Sequence, residues 1–114
     1  MGMGTDLLVY GSLRAGHSAH ALLRGAMRRP DGVLDGVRCF QHQGYPMLSA
    51  GGGSILGEVY TVSEDQLNAL DRWEETPEVY QRVRRQLRDG RWVSVYVQST
   101  QSAEASPSGH APKT

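Results

Sequence analysis

The segment from Ser63 to Pro77 narrows most sharply what this chain can become. Ser63-Glu64-Asp65-Gln66 fits a capping box, with Ser63 as N-cap and Gln66 at the third helical position. Thr76 precedes proline and is biased away from helical angles, so the helix that Ser63 opens ends near Glu75. Around it the chain breaks into short extended runs. Asp6 to Tyr10 is an apolar run ended by Gly11, and Val33 to Gln41 is extended despite Gly36. Gly51-Gly52-Gly53 ahead of Ser54 to Tyr60 reads as a hairpin entering a strand, and Gly44-Tyr45-Pro46 as a turn or loop. Tyr80 to Leu87 and Arg91 to Gln98 are strands joined by Asp89-Gly90, a two-residue hairpin signal. A second helix is expected over Ser18 to Met27, where Ala19, Leu22, Leu23 and Ala26 recur at helical spacing and Pro30-Asp31-Gly32 then breaks the pattern. Several strands and two helices without regular alternation predict an α+β fold.

At 114 residues the chain is one domain by length. After Gln98 the composition shifts to Ser, Gln, Ala, Pro and Gly, which cannot offset its own ordering entropy. The expectation is a domain over residues 1–98 and a disordered Ser/Pro-rich tail over 99–114. Twelve basic and twelve acidic side chains cancel, so no broad field recruits nucleic acid or anionic lipid. No run of apolar residues is long enough for a transmembrane helix, and Met1 to Asp6 has neither a signal-peptide nor a myristoylation pattern. The single cysteine, Cys39, excludes an internal disulfide; alternating with Val37, it is expected in the core. These features read most simply as a soluble cytoplasmic domain.

Two stretches carry chemistry. With Leu67 as zero and about 100° per residue, Leu70 falls near −60° and Glu74 near −20°. Glu74 therefore stands between two leucines on the inward face of the helix, while Glu75 points toward its edge. A carboxylate there is costly unless paired, hydrogen-bonded or protonated, and the negative end of the helix dipole also disfavours its ionised form. Both effects raise its pKa toward the range of a general acid/base. The alternative is a structural glutamate bonded to backbone or to Arg82. Tyr10-Gly11-Ser12-Leu13 follows a strand, and glycine there permits close backbone approach and positive φ, so successive N–H groups can meet an anion. It is neither a P-loop nor a nucleophile elbow, which argues against Ser12 as a nucleophile. His17 and His20 lack a third residue at metal-ligand spacing and read as surface or capping residues, so no metal is expected. Arg82, Arg84, Arg85, Arg88 and Arg91 concentrate charge on one hairpin, either a solvated face or a contact for an anionic partner. Tyr80, Trp92 and Tyr96 could share one face as core or pocket lining.

Taken in order, these elements resemble the γ-glutamylcyclotransferase-like family. The shared pattern is Tyr10-Gly11-Ser12-Leu13, Gly44-Tyr45-Pro46, Gly57-Glu58-Val59-Tyr60, Leu70-Asp71-x-x-Glu74 and Tyr80-x-Arg82, spanning Leu7 to Val97. The resemblance implies a small mixed β-barrel with flanking helices. It also implies an amide-cleaving, cyclising lyase or acyltransferase in which the α-amine of a γ-glutamyl group attacks its own γ-carbonyl, releasing 5-oxoproline and an amine. Glu74 corresponds to the family's acid/base glutamate. The turn at Gly11 to Leu13, entered through Tyr10, would hold the glutamyl moiety, and Tyr80 would orient it. No cofactor is implied, and the only expected partner is a small γ-glutamyl substrate, with γ-glutamylamines or a γ-glutamyl-protected metabolite favoured over a large peptide. The competing expectation is a non-catalytic module binding a small anion on the same fold. One position departs from the pattern: Glu75 stands where the family has glycine.

Overall fold

The computed structural model describes residues 4–99. Five strands form one mixed sheet: β1 (Thr5–Val9), β2 (Met27–His42), β3 (Tyr45–Val62), β4 (Tyr80–Gln86) and β5 (Trp92–Gln98), in the order β2-β3-β1-β5-β4. Only β1 and β5 run parallel; every other pairing is antiparallel. The sheet curls on itself, since the tip of the β4–β5 hairpin reaches β2, where the Arg88 N–H donates to Val33 O at 2.8 Å. One α-helix, α1 (Glu64–Trp73), and a 3-10 turn (His20–Leu23) flank the sheet, giving the expected α+β architecture.

Strand alternation divides the core in two. Leu7 and Val9 point to the helix side, with Met47, Tyr60, Val62, Tyr80 and Tyr96 beneath Leu67 and Leu70 of α1. Leu8 points the other way, into the curl, with Leu34, Leu48, Val59, Leu87 and Val95. Covered on both faces, β1 needs an unbroken apolar run, which is what Leu7-Leu8-Val9 supplies.

The capping box forms as expected. Ser63 Oγ accepts from Gln66 N at 3.1 Å, and Ser63 N donates to Gln66 Oε1 at 2.9 Å. A hairpin joins β4 to β5 where Asp89-Gly90 signalled one, but its loop is Arg88-Asp89-Gly90 rather than two residues: Gly90 N donates to Leu87 O at 2.9 Å, Leu87 N to Arg91 O at 2.7 Å, and Gly90 takes φ 100°. Elsewhere tertiary pairing overrides local signals. The second helix shrinks to the 3-10 turn because Gly16 and Gly25, at φ 84° and 86°, bracket the segment and Ser18 makes no cap. Pro30-Asp31-Gly32 does not end an element. It lies inside β2, where the register skips between Arg29 and Gly32, so the missing proline N–H falls at a bulge. Gly51-Gly52-Gly53 is strand too; the β2–β3 turn is Gln43-Gly44, both residues at positive φ. A further register shift at Val37 upsets the alternation, so Val37 is buried while Cys39 is exposed rather than in the core. Trp92 is also exposed, under the Arg84 guanidinium at 4.7 Å.

Ser99, expected to begin the tail, is instead buried. Its N–H donates to Val79 O at 3.1 Å and its hydroxyl to Pro77 O. Residues 100–114 of the expected tail lie outside the described residues. No helix among the described residues is long and apolar enough to cross a membrane.

Candidate active site

A pocket of about 440 Å³, counting its open mouth, lies where β1 ends beside its parallel neighbour β5. Its lining gathers every site residue read from the sequence: Tyr10, Gly11, Ser12, Leu13, Glu74 and Tyr80. Leu8 and Val9 of β1, Tyr45 and Pro46 at the start of β3, Trp73 from α1 and Tyr96 from β5 complete it. Tyr96 had a pocket-lining reading beside a core one, whereas Trp73, Tyr45 and Pro46 carried no assigned role.

The loop after β1 is pinned by its carbonyls. Gly11 O accepts from Arg14 N at 3.0 Å, Ser12 O from Ala19 N at 3.0 Å, and Leu13 O lies 2.9 Å from His20 Nδ1. Among the described residues nothing accepts from the N–H groups of Gly11, Ser12 or Leu13. A loop whose carbonyls are engaged while neighbouring donors stay open is a ready site for an anionic or developing negative oxygen. Gly11 is required for space rather than for positive φ: a Cβ there would lie 2.8 Å from Pro46 Cγ. Pro46 is itself fixed, its carbonyl accepting from Tyr80 Oη at 3.1 Å.

Glu74 caps the C-terminus of α1, its N–H donating to Leu70 O at 2.8 Å, and it is 7% exposed. Arg82, the sequence alternative for its partner, pairs with Asp71 instead: Nε and Nη2 each lie 2.9 Å from a different Asp71 oxygen. Tyr96 Oη donates to the same carboxylate at 2.7 Å. Asp71 also holds the helix exit, since its backbone oxygen accepts from Thr76 N at 3.0 Å. The Leu-Asp-x-x-Glu and Tyr-x-Arg motifs are thus one device: the ion pair bolts α1 to β4, and Glu74, one turn further on, projects into the pocket. Helical phase located Glu74, but only the packing of α1 on β4 makes Asp71 the partner of Arg82.

No hydrogen bond or ion pair reaches the Glu74 carboxyl group among the described residues. Burial, and then the nearby Asp71 carboxylate, push its pKa up to about 8. Asp71 is held below the ordinary carboxylate range by Arg82 and, after it, Tyr96, against its own burial. Burial also raises the Tyr10 and Tyr96 hydroxyls, which stay protonated, and Tyr10 Oη donates to Tyr96 O at 2.5 Å. The pocket therefore offers one proton-exchanging acid, open backbone donors, and the phenols of Tyr10, Tyr80 and Tyr96, whose single protons are donated within the protein and whose oxygens can still accept. Among the described residues no three His, Cys, Asp or Glu side chains group as a metal site.

Glu75, the position at which the sequence departs from the resemblance, takes φ 56°. The chain enters the left-handed region here as it leaves the helix, a conformation that glycine adopts without strain.

A family model described as "Gamma-glutamyl cyclotransferase, AIG2-like" matches residues 7–111. The chain belongs to that family. Among relatives of this γ-glutamyl cyclotransferase family chain, "Gamma-glutamylaminecyclotransferase" of Bos taurus is 36% identical over 68% of this chain and 53% of its own length. "Gamma-glutamylaminecyclotransferase A" of Danio rerio is 30% identical over 73% and 58% respectively. The chain thus spans little more than half of either relative. The fold recurs in an uncharacterized protein of Pyrococcus horikoshii, with a TM-score of 0.73 at 23% identity over 84% of this chain and 79% of that one. It recurs also in an AIG2-like protein of Mus musculus, with a TM-score of 0.69 at 24% identity over 93% and 82%.

Three of the hairpin's five arginines tie it to the rest of the fold, while Arg84, over the Trp92 ring, and Arg85, donating to Arg84 O, remain on its exposed face. Arg82 is spent on Asp71, Arg88 pairs with Asp35 at 2.8 Å, and Arg91 reaches Pro30 O and Asp31 O at 2.8 and 2.9 Å.

Proposed function

We propose that this chain converts a γ-glutamyl amine into 5-oxoproline and the free amine by intramolecular aminolysis. The observation that carries the reading is Glu74: a carboxyl group buried in the pocket wall, unpaired among the described residues, with a pKa near that of an α-amine. An anion-binding module would gain nothing from such a group. For an acid/base catalyst the match is close to ideal, because a proton can pass either way at little cost.

In the proposed sequence the N–H groups of Gly11 to Leu13 hold an oxygen of the glutamyl moiety, and Tyr80 helps orient it. Glu74 as carboxylate takes a proton from the substrate α-ammonium. The freed amine attacks the γ-carbonyl carbon, forming the ring C–N bond. Protonated Glu74 returns its proton to the leaving nitrogen as the original amide C–N bond breaks; the regenerated carboxylate then takes the second proton from the ring nitrogen, giving the lactam N–H, and passes it to the departing amine, which leaves as its ammonium. No water is consumed, and nucleophile and electrophile arrive in one molecule. Holding the chain in its ring-closing conformer can supply much of the rate, since oriented intramolecular reactions reach effective molarities of roughly 10⁵ M or more.

Paired substrates test this. A γ-glutamyl amine with a free α-amine should give 5-oxoproline, and its N-acetylated twin should give nothing. Cleavage of both, with N-acetylglutamate from the second, would mean hydrolysis by water and reject cyclisation.

A further inference from the structure

The active-site pocket shares one wall residue with a second groove. Trp73, half-buried at the last turn of α1, lines the pocket on one side and this shallow groove on the other. Ser18 and Ala19, just before the 3-10 turn, and Ala21 and Leu22 within it form the rest of that groove. Its floor is fixed, because Ala19, Leu22 and Trp73 all pack against the helix-side core. Ala19 also donates its N–H to Ser12 O, so the groove is built on the loop that presents the open donors. No charged side chain lines it, and Glu74 is the only one in the pocket proper.

Resting on the cyclotransferase reading, we propose that this groove is the leaving-group subsite and selects amines borne on an uncharged, apolar chain. The orientation of the substrate follows from the pocket. The glutamyl end is anionic and belongs against the donors of Gly11 to Leu13, while the reacting amide lies within reach of Glu74. Trp73, which lines the pocket with Glu74 and also lines the groove, then offers the substituent on the leaving nitrogen a wall to follow. An alkyl or aryl chain on that nitrogen would lie across the indole and along Ala19, Ala21 and Leu22. Burying apolar surface on both sides stabilises the complex. A leaving group with a carboxylate or an ammonium would lose water there and find no counter-charge.

The test is a series of γ-glutamyl ethyl-, butyl- and hexylamides beside γ-glutamyl-ε-lysine and a γ-glutamyl amino acid, each assayed for 5-oxoproline. We expect kcat/KM to rise about twofold per added methylene, below the roughly fourfold of full burial because the groove is open. The charged compounds should fall at least about tenfold below the butylamide. Trp73→Ala should flatten the alkyl series. Since that variant also loses core packing, Ala21→Glu provides a second reading from an exposed position. It should lower hexylamide turnover and raise that of an amide of 1,4-diaminobutane. Release from the whole panel with no dependence on chain length, or a preference for the charged compounds, overturns the subsite and leaves the cyclotransferase reading standing. Release from none rejects that reading, and the subsite with it.

Discussion

Replacing Glu74 by Gln keeps the side chain's shape and removes its ionisation, and the consequences run in opposite directions for stability and catalysis. Burial and Asp71 raise the folded-state pKa from the ordinary 4.5 to about 8. Below the lower value both states hold the proton. Between the two values the folded protein keeps a proton that the unfolded chain releases, so stability falls as pH rises through this window. Integrating between those pKa values gives a penalty of about 3 kcal/mol at pH 7 for the native protein, which the Gln variant escapes. At pH 4 the ionisation penalty is below about 0.5 kcal/mol, so any difference left there is a pH-independent offset from the amide. Asp71 and Asp35, whose lowered pKa values act with the opposite sign, are common to both proteins and largely cancel. Urea midpoints across this range should therefore diverge upward from pH 4 to pH 8 in favour of the variant. Turnover should fall about 10²–10⁴-fold, the usual cost of losing a general acid/base. A stability difference that stays flat with pH would refute the buried-acid argument. A turnover loss under about fivefold would refute the catalytic one.

On the cyclotransferase reading, kcat/KM of the native protein should peak near pH 8, because Glu74 and the substrate amine share one proton in the productive complex and that state is lost on either side; steadily rising activity on acidification would contradict a glutamate base. Asp71→Asn removes the like charge beside Glu74, so the acid limb of that profile should move to lower pH. It should also destabilise the fold by about 1–3 kcal/mol through the broken contacts to Arg82 and Tyr96, read from denaturant midpoints. Glu75→Gly relieves a left-handed backbone at φ 56° and should stabilise by up to about 1 kcal/mol, with turnover within about twofold. Gly11→Ala drives a Cβ to 2.8 Å from Pro46 Cγ and should cost about tenfold or more in kcat/KM, because a displaced loop misaims its N–H groups; an unchanged value would show that the turn has room to give.

Much of the site was legible because its parts are set by near neighbours. The capping box, the hairpin at Asp89-Gly90 and the inward phase of Glu74 each depend on residues within about four positions, and the structure reproduces them, the hairpin with a loop one residue longer than the signal implied. The family pattern then joined Tyr10 to Leu13 with Glu74 and Tyr80, which line one pocket. The missed features depend on partners far along the chain. Pro30-Asp31-Gly32 is strand because β3 runs beside it and Arg91 takes the Pro30 and Asp31 carbonyls. Cys39 is exposed because a bulge at Val37 resets which residues face inward. Arg82 meets Asp71 rather than Glu74 because α1 packs against β4, and the Trp73 groove exists because a 3-10 turn settles beside that helix. Local sequence determines the conformations that short-range hydrogen bonds and sterics can decide. Register, pairing and pocket shape are decided where distant segments compete to bury the same surface, and that competition is resolved only in the assembled fold.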